Sequence, residues 1–254
     1  ITYEEGTLEV TPRPITLKPE DDNKIYDANP LTTDTVISKY ANDLVVGHVL
    51  SGNVTGTQTN AGTSKSTIKS AFIFDSEGKD VRHNYDITYE EGTLKVTRRP
   101  ITLKPEYEEK AYDGTPLTAK DVVSKVADNL VEGHLATASF KGSQTTVGSS
   151  ASTIKTDSLI IVDGKGNNVK DNYVITYEEG TLKVTKRPIT LRPVDKEKMY
   201  DATALTPDEV VSKGEYTFVE GHELNEIVTG SQIDAGTSAS VIDSAAILDD
   251  EGEV

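Results

Sequence analysis

His48, His134 and His222 each follow a glycine at the same place in a recurring segment, and imidazole is the side chain best placed to bind a metal or titrate near neutral pH. No second ligand lies near any of them in sequence, so the pattern points to a turn or strand-packing residue. The acidic turns Asp75-Ser76-Glu77-Gly78, Asp163-Gly164 and Asp249-Asp250-Glu251-Gly252 gather hard oxygen donors of the kind calcium takes. They lack the spacing of a calcium loop and read as solvated hairpin turns. Tyr3, Tyr26 and Tyr85, with counterparts at Tyr89, Tyr112 and Tyr173, could stack on a sugar or peptide. Alternation along the strands, and the absence of tryptophan, favour core packing instead. No nucleophile–base pair, phosphate loop or metal motif stands out. No catalytic, cofactor-binding or metal-binding residue is therefore assigned, no cofactor is implied, and the chain does not read as an enzyme.

What positions these residues is a repeat. The stretch ITYEEGTLEVTPRPITLKP at Ile1 returns at Ile87 and Ile175 with sixteen of nineteen positions unchanged, after spacings of 86 and 88 residues. A period that long exceeds the 20 to 50 residues of solenoid repeats, so each copy can enclose its own core. The units read as residues 13–98, 99–186 and 187–254, preceded at 1–12 by the closing hairpin of a further copy. The third copy stops short of the equivalent hairpin.

Composition narrows the partners. With 42 Asp and Glu against 26 Lys and Arg, the net charge of -16 repels nucleic acid and anionic lipid. No apolar run is long enough to span a membrane, so membrane insertion is not expected. Cysteine is absent, which removes disulfides and thiol chemistry.

Within one copy, Pro14-Ile15-Thr16-Leu17 and its counterparts at Pro100 and Pro188 alternate apolar and polar residues, a strand entered at a proline. Tyr26-Asp27-Ala28, Tyr112-Asp113-Gly114 and Tyr200-Asp201-Ala202 are turns in which Asp bonds its own backbone two residues on. The alanines at 28 and 202 speak against a positive φ there. Thr118–Lys125 and Thr206–Lys213, with a capping Thr, early acids and paired valines, suggest a short helix. The segments GTQTNAGTS, GSQTTVGSS and GSQIDAGTS suggest strands joined by hairpin turns. Ala71–Phe74 and Ser158–Val162 are apolar enough for core strands. Tyr85–Tyr89 and Gly92–Val96 suggest a closing hairpin whose Glu-Glu-Gly turn suits a positive φ at glycine. The two extra residues of the second copy fall between Ile154 and Val169, around its Asp163–Gly166 turn, and their even number keeps every downstream side chain on its face. The junctions Thr11-Pro12-Arg13-Pro14, Thr97-Arg98-Arg99-Pro100 and Thr185-Lys186-Arg187-Pro188 contain no Gly/Ser spacer and read as stiff.

The fold expected is mainly β: tandem small β domains, sandwich-like or β-grasp-like with one short helix each, set end to end as an elongated rod. Taken together, NYxITYEEGTLxVTxRPIT, KxYDGTPLT and GSQTxVGSS resemble the YDG or MBG-type tandem repeats in the stalks of Gram-positive, wall-anchored adhesins. The resemblance covers essentially the whole chain. It implies an extracellular, cell-wall location and a structural role, holding a binding domain away from the wall. The neighbouring repeats of the same chain would be its partners, and any host ligand would be bound by another region of the parent protein. The alternative is a multivalent module with a weak site for host glycan or protein on each repeat. The resemblance also raises internal crosslinks, a Lys–Asn isopeptide at Lys24, Lys110 or Lys198, or a Thr–Gln ester at Gln58, Gln144 or Gln232. The unequal ends suggest that Ile1–Thr11 of one molecule completes the third unit of another, giving head-to-tail self-association.

Overall fold

The computed structural model describes residues 1–125, 129–249 and 251–252. Strand accounts for 47% of the described residues and helix for 2%, so the fold is mainly β. The first copy carries β1 (Arg13–Pro19), β2 (Asp22–Ile25), β3 (Val36–Ser38), β4 (Val49–Thr55), β5 (Gly62–Phe74), β6 (Tyr85–Tyr89) and β7 (Gly92–Thr97). The second carries β8 (Arg99–Pro105), β9 (Glu108–Ala111), β10 (Val122–Ser124), β11 (Leu135–Thr137), β12 (Phe140–Lys141), β13 (Gly148–Ile154), β14 (Ile160–Val162), β15 (Tyr173–Tyr177) and β16 (Gly180–Thr185). The third carries β17 (Thr190–Pro193), β18 (Val210–Lys213), β19 (Glu223–Thr229) and β20 (Val241–Leu248).

In the first copy β3-β1-β6 form one sheet and β2-β7-β5-β4 another. Alternation in β1 turns Ile15 and Leu17 inward, where they meet Val36, Ala71, Ile73, Val81 and Tyr85. Each such aliphatic contributes about 1.5–3 kcal/mol when fully buried. Strands β1 and β6 run parallel, Arg13 opposite Tyr85 through Leu17 opposite Tyr89. Strands β2 and β7 keep the same offset, Asp22 opposite Leu94 through Ile25 opposite Thr97. The opening and closing segments of the copy thus pass side by side from one sheet to the other.

That crossing overturns the expected closing hairpin. Strands β6 and β7 belong to different sheets, although only Glu90 and Glu91 separate them. Gly92 is not among the residues with positive φ. It is needed for close approach, since a Cβ there would lie 2.6 Å from Ser66 Oγ and 2.8 Å from both Cβ and O of Pro19. Gly180 stands equally close to Pro105 and Ser152.

The expected helices are strands as well. Residues 122–124 and 210–213 form β10 and β18, which pair with the copy's first strand. The β-branched valine pairs suit an extended edge, and the unpaired side of that first strand supplies the hydrogen bonds that a two-turn helix would have made internally. The helical structure among the described residues is two 3-10 turns, Arg82–Asn84 and Lys170–Asn172.

The extra residues of the second copy also lie elsewhere than expected. The Asp163 turn has the length of the Asp75 turn, and the insertion falls before Leu159, where the single strand β5 becomes β13 and β14. Parity survives, because Leu159 and Ile161 are buried like Ala71 and Ile73.

By contacts the chain divides into two compact units, residues 1–104, 122–138 and 157–178 in one, and 105–121, 139–156 and 179–254 in the other. The first holds the whole first copy together with β10, β11, β14, β15 and most of β8. The second holds β9, β12, β13, β16 and the third copy, with a core of Leu117, Ala119, Leu182 and Val184. No helix among the described residues is long and apolar enough to cross a membrane.

Candidate interaction site at the contacts between copies

The recurring histidine is placed by its glycine. His48 N–H donates to Val45 O at 3.0 Å, closing a turn in which Gly47 has φ 88°. Gly133 and Gly221 do the same before His134 and His222, at φ 79° and 84°. A left-handed residue at the third position is what glycine supplies without strain.

That turn brings the imidazole to the tyrosine that opens β6 in the first copy and β15 in the second. His48 Nδ1 lies 2.8 Å from Tyr85 Oη, and His134 Nδ1 lies 2.7 Å from Tyr173 Oη. Each hydroxyl also accepts a backbone N–H, from Val45 at 3.1 Å and from Val131 at 3.2 Å. At His134 a hydroxyl that accepts from the backbone has its own proton free for Nδ1, and so favours the neutral imidazole protonated on Nε2. Burial pushes the His134 pKa below its ordinary value, with the same result.

In the first unit this pair receives a residue of the preceding copy. Tyr26 is 2% exposed. Its ring packs edge-on against Tyr173 at 5.6 Å and tilted against His134 at 6.1 Å. Burial raises the Tyr26 and Tyr173 hydroxyl pKa values, which keeps both neutral. Asn172, itself buried, accepts from Ala61 N–H at 2.7 Å, and its Nδ2 donates to Asn60 Oδ1 at 3.1 Å. An aromatic wedge and a two-point amide clasp thus join the first copy to the second.

In the second unit Tyr112, the counterpart of Tyr26, meets His222 of the third copy with ring centroids 5.7 Å apart and Oη 3.3 Å from Nε2. Arg187 reaches back to Tyr112 O at 3.3 Å. This arginine belongs to a recurring clamp that sequence reading passed over. Arg13 Nε donates to Asp43 O, Arg99 Nε to Asn129 O and Arg187 Nε to Thr217 O, at 2.8 to 2.9 Å and always thirty residues on. The signal was an arginine before proline at each junction.

The turn carrying Tyr26 is built alike in every copy. Asp27, Asp113 and Asp201 each accept the N–H two residues on at 2.9 Å, as expected. Lys24, Lys110 and Lys198 donate to the same carboxylates. Their ammonium groups depress the Asp27 and Asp201 pKa values, and lower Asp113 to about 2. Ala28 and Ala202 take φ 65° and 62°, beside 77° for Gly114. The turn imposes positive φ even on alanine, contrary to the reading from residue type.

The remaining candidates separate. Lys24 Nζ lies against Asp27 and the backbone O of Asn29, and Gln58, Gln144 and Gln232 each donate to a carbonyl two residues on. Asp75 and Asp163 accept N–H groups of their own turns. Asp249 accepts from Glu251 N–H, and Asp250 lies outside the described residues. No group of three or more metal-ligating side chains occurs among the described residues. Tyr85 is buried, whereas Tyr3 and Tyr89 are exposed rather than in the core. No family model matches the chain, and no curated protein matches it.

Proposed function

We propose that the chain is a non-catalytic, structural stalk segment of an extracellular bacterial surface adhesin, projecting a binding domain from the cell wall. The observation that carries this reading is the repeated seating of a Tyr-Asp turn on the next copy's histidine, Tyr26 on His134 and Tyr112 on His222. A spacer needs copies that resist bending at each joint. A ring contact at each joint, buried at Tyr26 and reinforced at Tyr112 by the Arg187 bond to its backbone oxygen, supplies such resistance, where a Gly/Ser linker would not. The residues that recur most regularly serve joints and turns rather than a cleft. The net charge of -16 adds mutual repulsion along the array, screened beyond about 8 Å at physiological salt.

Small-angle scattering tests it. Three copies in line, each with strands of roughly eight residues at about 3.3 Å per residue, should reach a maximum dimension of about 100 Å. Replacing Tyr26 and Tyr112 by alanine should broaden the distance distribution without unfolding the copies. A particle about half as long, unchanged by those substitutions, would overturn the proposal.

A further inference from the structure

Tension along a tandem chain enters each copy at its first strand and leaves at its last. In the first copy these two segments run parallel and side by side, Arg13–Leu17 against Tyr85–Tyr89 in one sheet and Asp22–Ile25 against Leu94–Thr97 in the other. Five residue pairs and then four keep one register across both sheets. Single bonds fill the interval and the far end: Glu90 N–H donates to Leu17 O at 2.9 Å, Thr93 N–H to Asp21 Oδ1 at 2.7 Å, and Tyr26 N–H to Thr97 O at 2.9 Å. The second copy repeats the pairing, Arg99–Leu103 against Tyr173–Tyr177 and Glu108–Ala111 against Leu182–Thr185. There Glu178 N–H donates to Leu103 O and Tyr112 N–H to Thr185 O, both at 2.9 Å.

The parallel direction decides how such a pair meets a load. With the first segment pulled from its N-terminal end and the last from its C-terminal end, the two are drawn past each other along their length. The evenly spaced bonds of a parallel ladder then share the load. Antiparallel segments would be pulled from neighbouring ends, and their bonds would open one after another. Sliding is opposed in the core as well. Ile15 and Leu17 on the first segment and Leu94 and Val96 on the last are buried, and a slip of one residue turns each of them to the other face. Gly92 sits against Pro19 and Ser66 with no room for a Cβ, so neither Glu91 nor Thr93 can slide into its place. The outer sides are held too, β1 by β3 and β7 by the first half of β5, Gly62–Ser66.

We propose that the paired first and last segments of the first copy, and by the same pairing those of the second, are a mechanical clamp that carries tension in shear and keeps the copy folded while the chain is pulled. The proposal rests on the stalk reading for the source of the tension, and adds a property that reach alone does not require. Resistance to pulling is set by the barrier to unfolding along the pulled direction rather than by equilibrium stability. The ladder and the core beneath it supply that barrier in a chain whose sequence contains no cysteine.

Single-molecule pulling on the 254-residue chain tests it, with pairs of cysteines introduced as handles into a chain that has none. Handles at Pro12→Cys and Arg98→Cys load the clamp of the first copy in shear. Handles at Pro12→Cys and His83→Cys pull from neighbouring ends, because His83 stands just before Tyr85, the residue opposite Arg13, and so peel β1 from β6. All three positions are exposed, so both variants keep the stability of the parent and the comparison reads the direction of load alone. The shear pair should rupture at a force severalfold above the peel pair, since five register pairs share a load that one carries at a time in peeling. Equal forces, or a higher force in peeling, overturn the clamp. Scattering reports the stalk separately: an elongated chain with equal forces overturns the clamp and leaves the stalk, whereas a high shear force in a short particle supports the clamp and overturns the stalk.

Discussion

The ring of Tyr26 stands edge-on to that of Tyr173, at 5.6 Å and 81°, so a residue of the first copy completes a core begun by the second. Truncating a buried aromatic costs about 3–5 kcal/mol, and the edge-on pair adds about 1 kcal/mol beyond area. Tyr26→Ala should therefore destabilise the first unit by about 3 kcal/mol or more and split its thermal transition into two. Tyr200→Ala, at the exposed counterpart, should change stability by less than about 0.5 kcal/mol. Calorimetry checks both, and equal effects at the two sites would contradict the contact.

The neutral state of His134 gives this contact a pH dependence. Its pKa is depressed from the ordinary 6.5 by burial, so the unfolded chain takes up a proton first as pH falls. The stability contributed is full above pH 6.5 and is lost as pH drops through the lower, folded value. Tyr173, Tyr26 and Asp163 are the titratable groups facing it, and Asp163 opposes the shift only in part. The urea midpoint of the first unit should fall between pH 7 and 5, and His134→Gln should flatten that part of the profile. An unchanged slope in the variant would place the effect elsewhere.

Glycine and alanine exchanges distinguish two backbone requirements that look alike in sequence. Gly92→Ala drives a Cβ into Pro19 and Ser66 and should cost about 1–3 kcal/mol or more, the range for overpacking. Ala28→Gly relieves a left-handed alanine at φ 65° and should stabilise by up to about 1 kcal/mol, the known scale of αL strain. Melting temperatures that move in opposite directions are the expected result. A neutral Gly92→Ala would mean that β7 can shift away from Pro19.

The strands were legible because sequence pattern is local: alternation marked Ile15 and Leu17 before any pairing was known, and apolar content marked Ser158–Val162 as a core strand, without separating the buried Ile161 from the exposed Ile160. What paired with what was not. Tyr85–Tyr89 and Gly92–Thr97 alternate as well in a hairpin as in two separate sheets, and only the parallel partners β1 and β2 decide between them. The paired valines at 122–123 and 210–211 follow a helix-start pattern, yet the free edge of the neighbouring strand outweighed it. The joint was half visible. Histidine and tyrosine recur at fixed places, but their meeting across two copies depends on where Tyr26 emerges, and Asn172 carries no mark that separates it from the exposed Asn84.

The Lys110–Asp113 pair makes the turns sensitive to acid. The Lys110 ammonium, then the N–H and hydroxyl of Thr115, lower the Asp113 carboxyl from its ordinary 3.8 to about 2. A depressed carboxyl stabilises the fold fully above pH 3.8, and that contribution is lost as pH falls through about 2. The Asp113 side chain is 43% exposed, so the pair should be worth less than about 1 kcal/mol and weaken with salt. Asp27 and Asp201 are held in the same way, so all three turns lose stability in the same direction as pH falls. Carboxyl-carbon NMR should show Asp113 titrating near pH 2, and Lys110→Met should move it toward 3.8 while Asp27 and Asp201 stay in place. An Asp113 titration unaffected by Lys110→Met would assign the depression to the Thr115 hydrogen bonds alone.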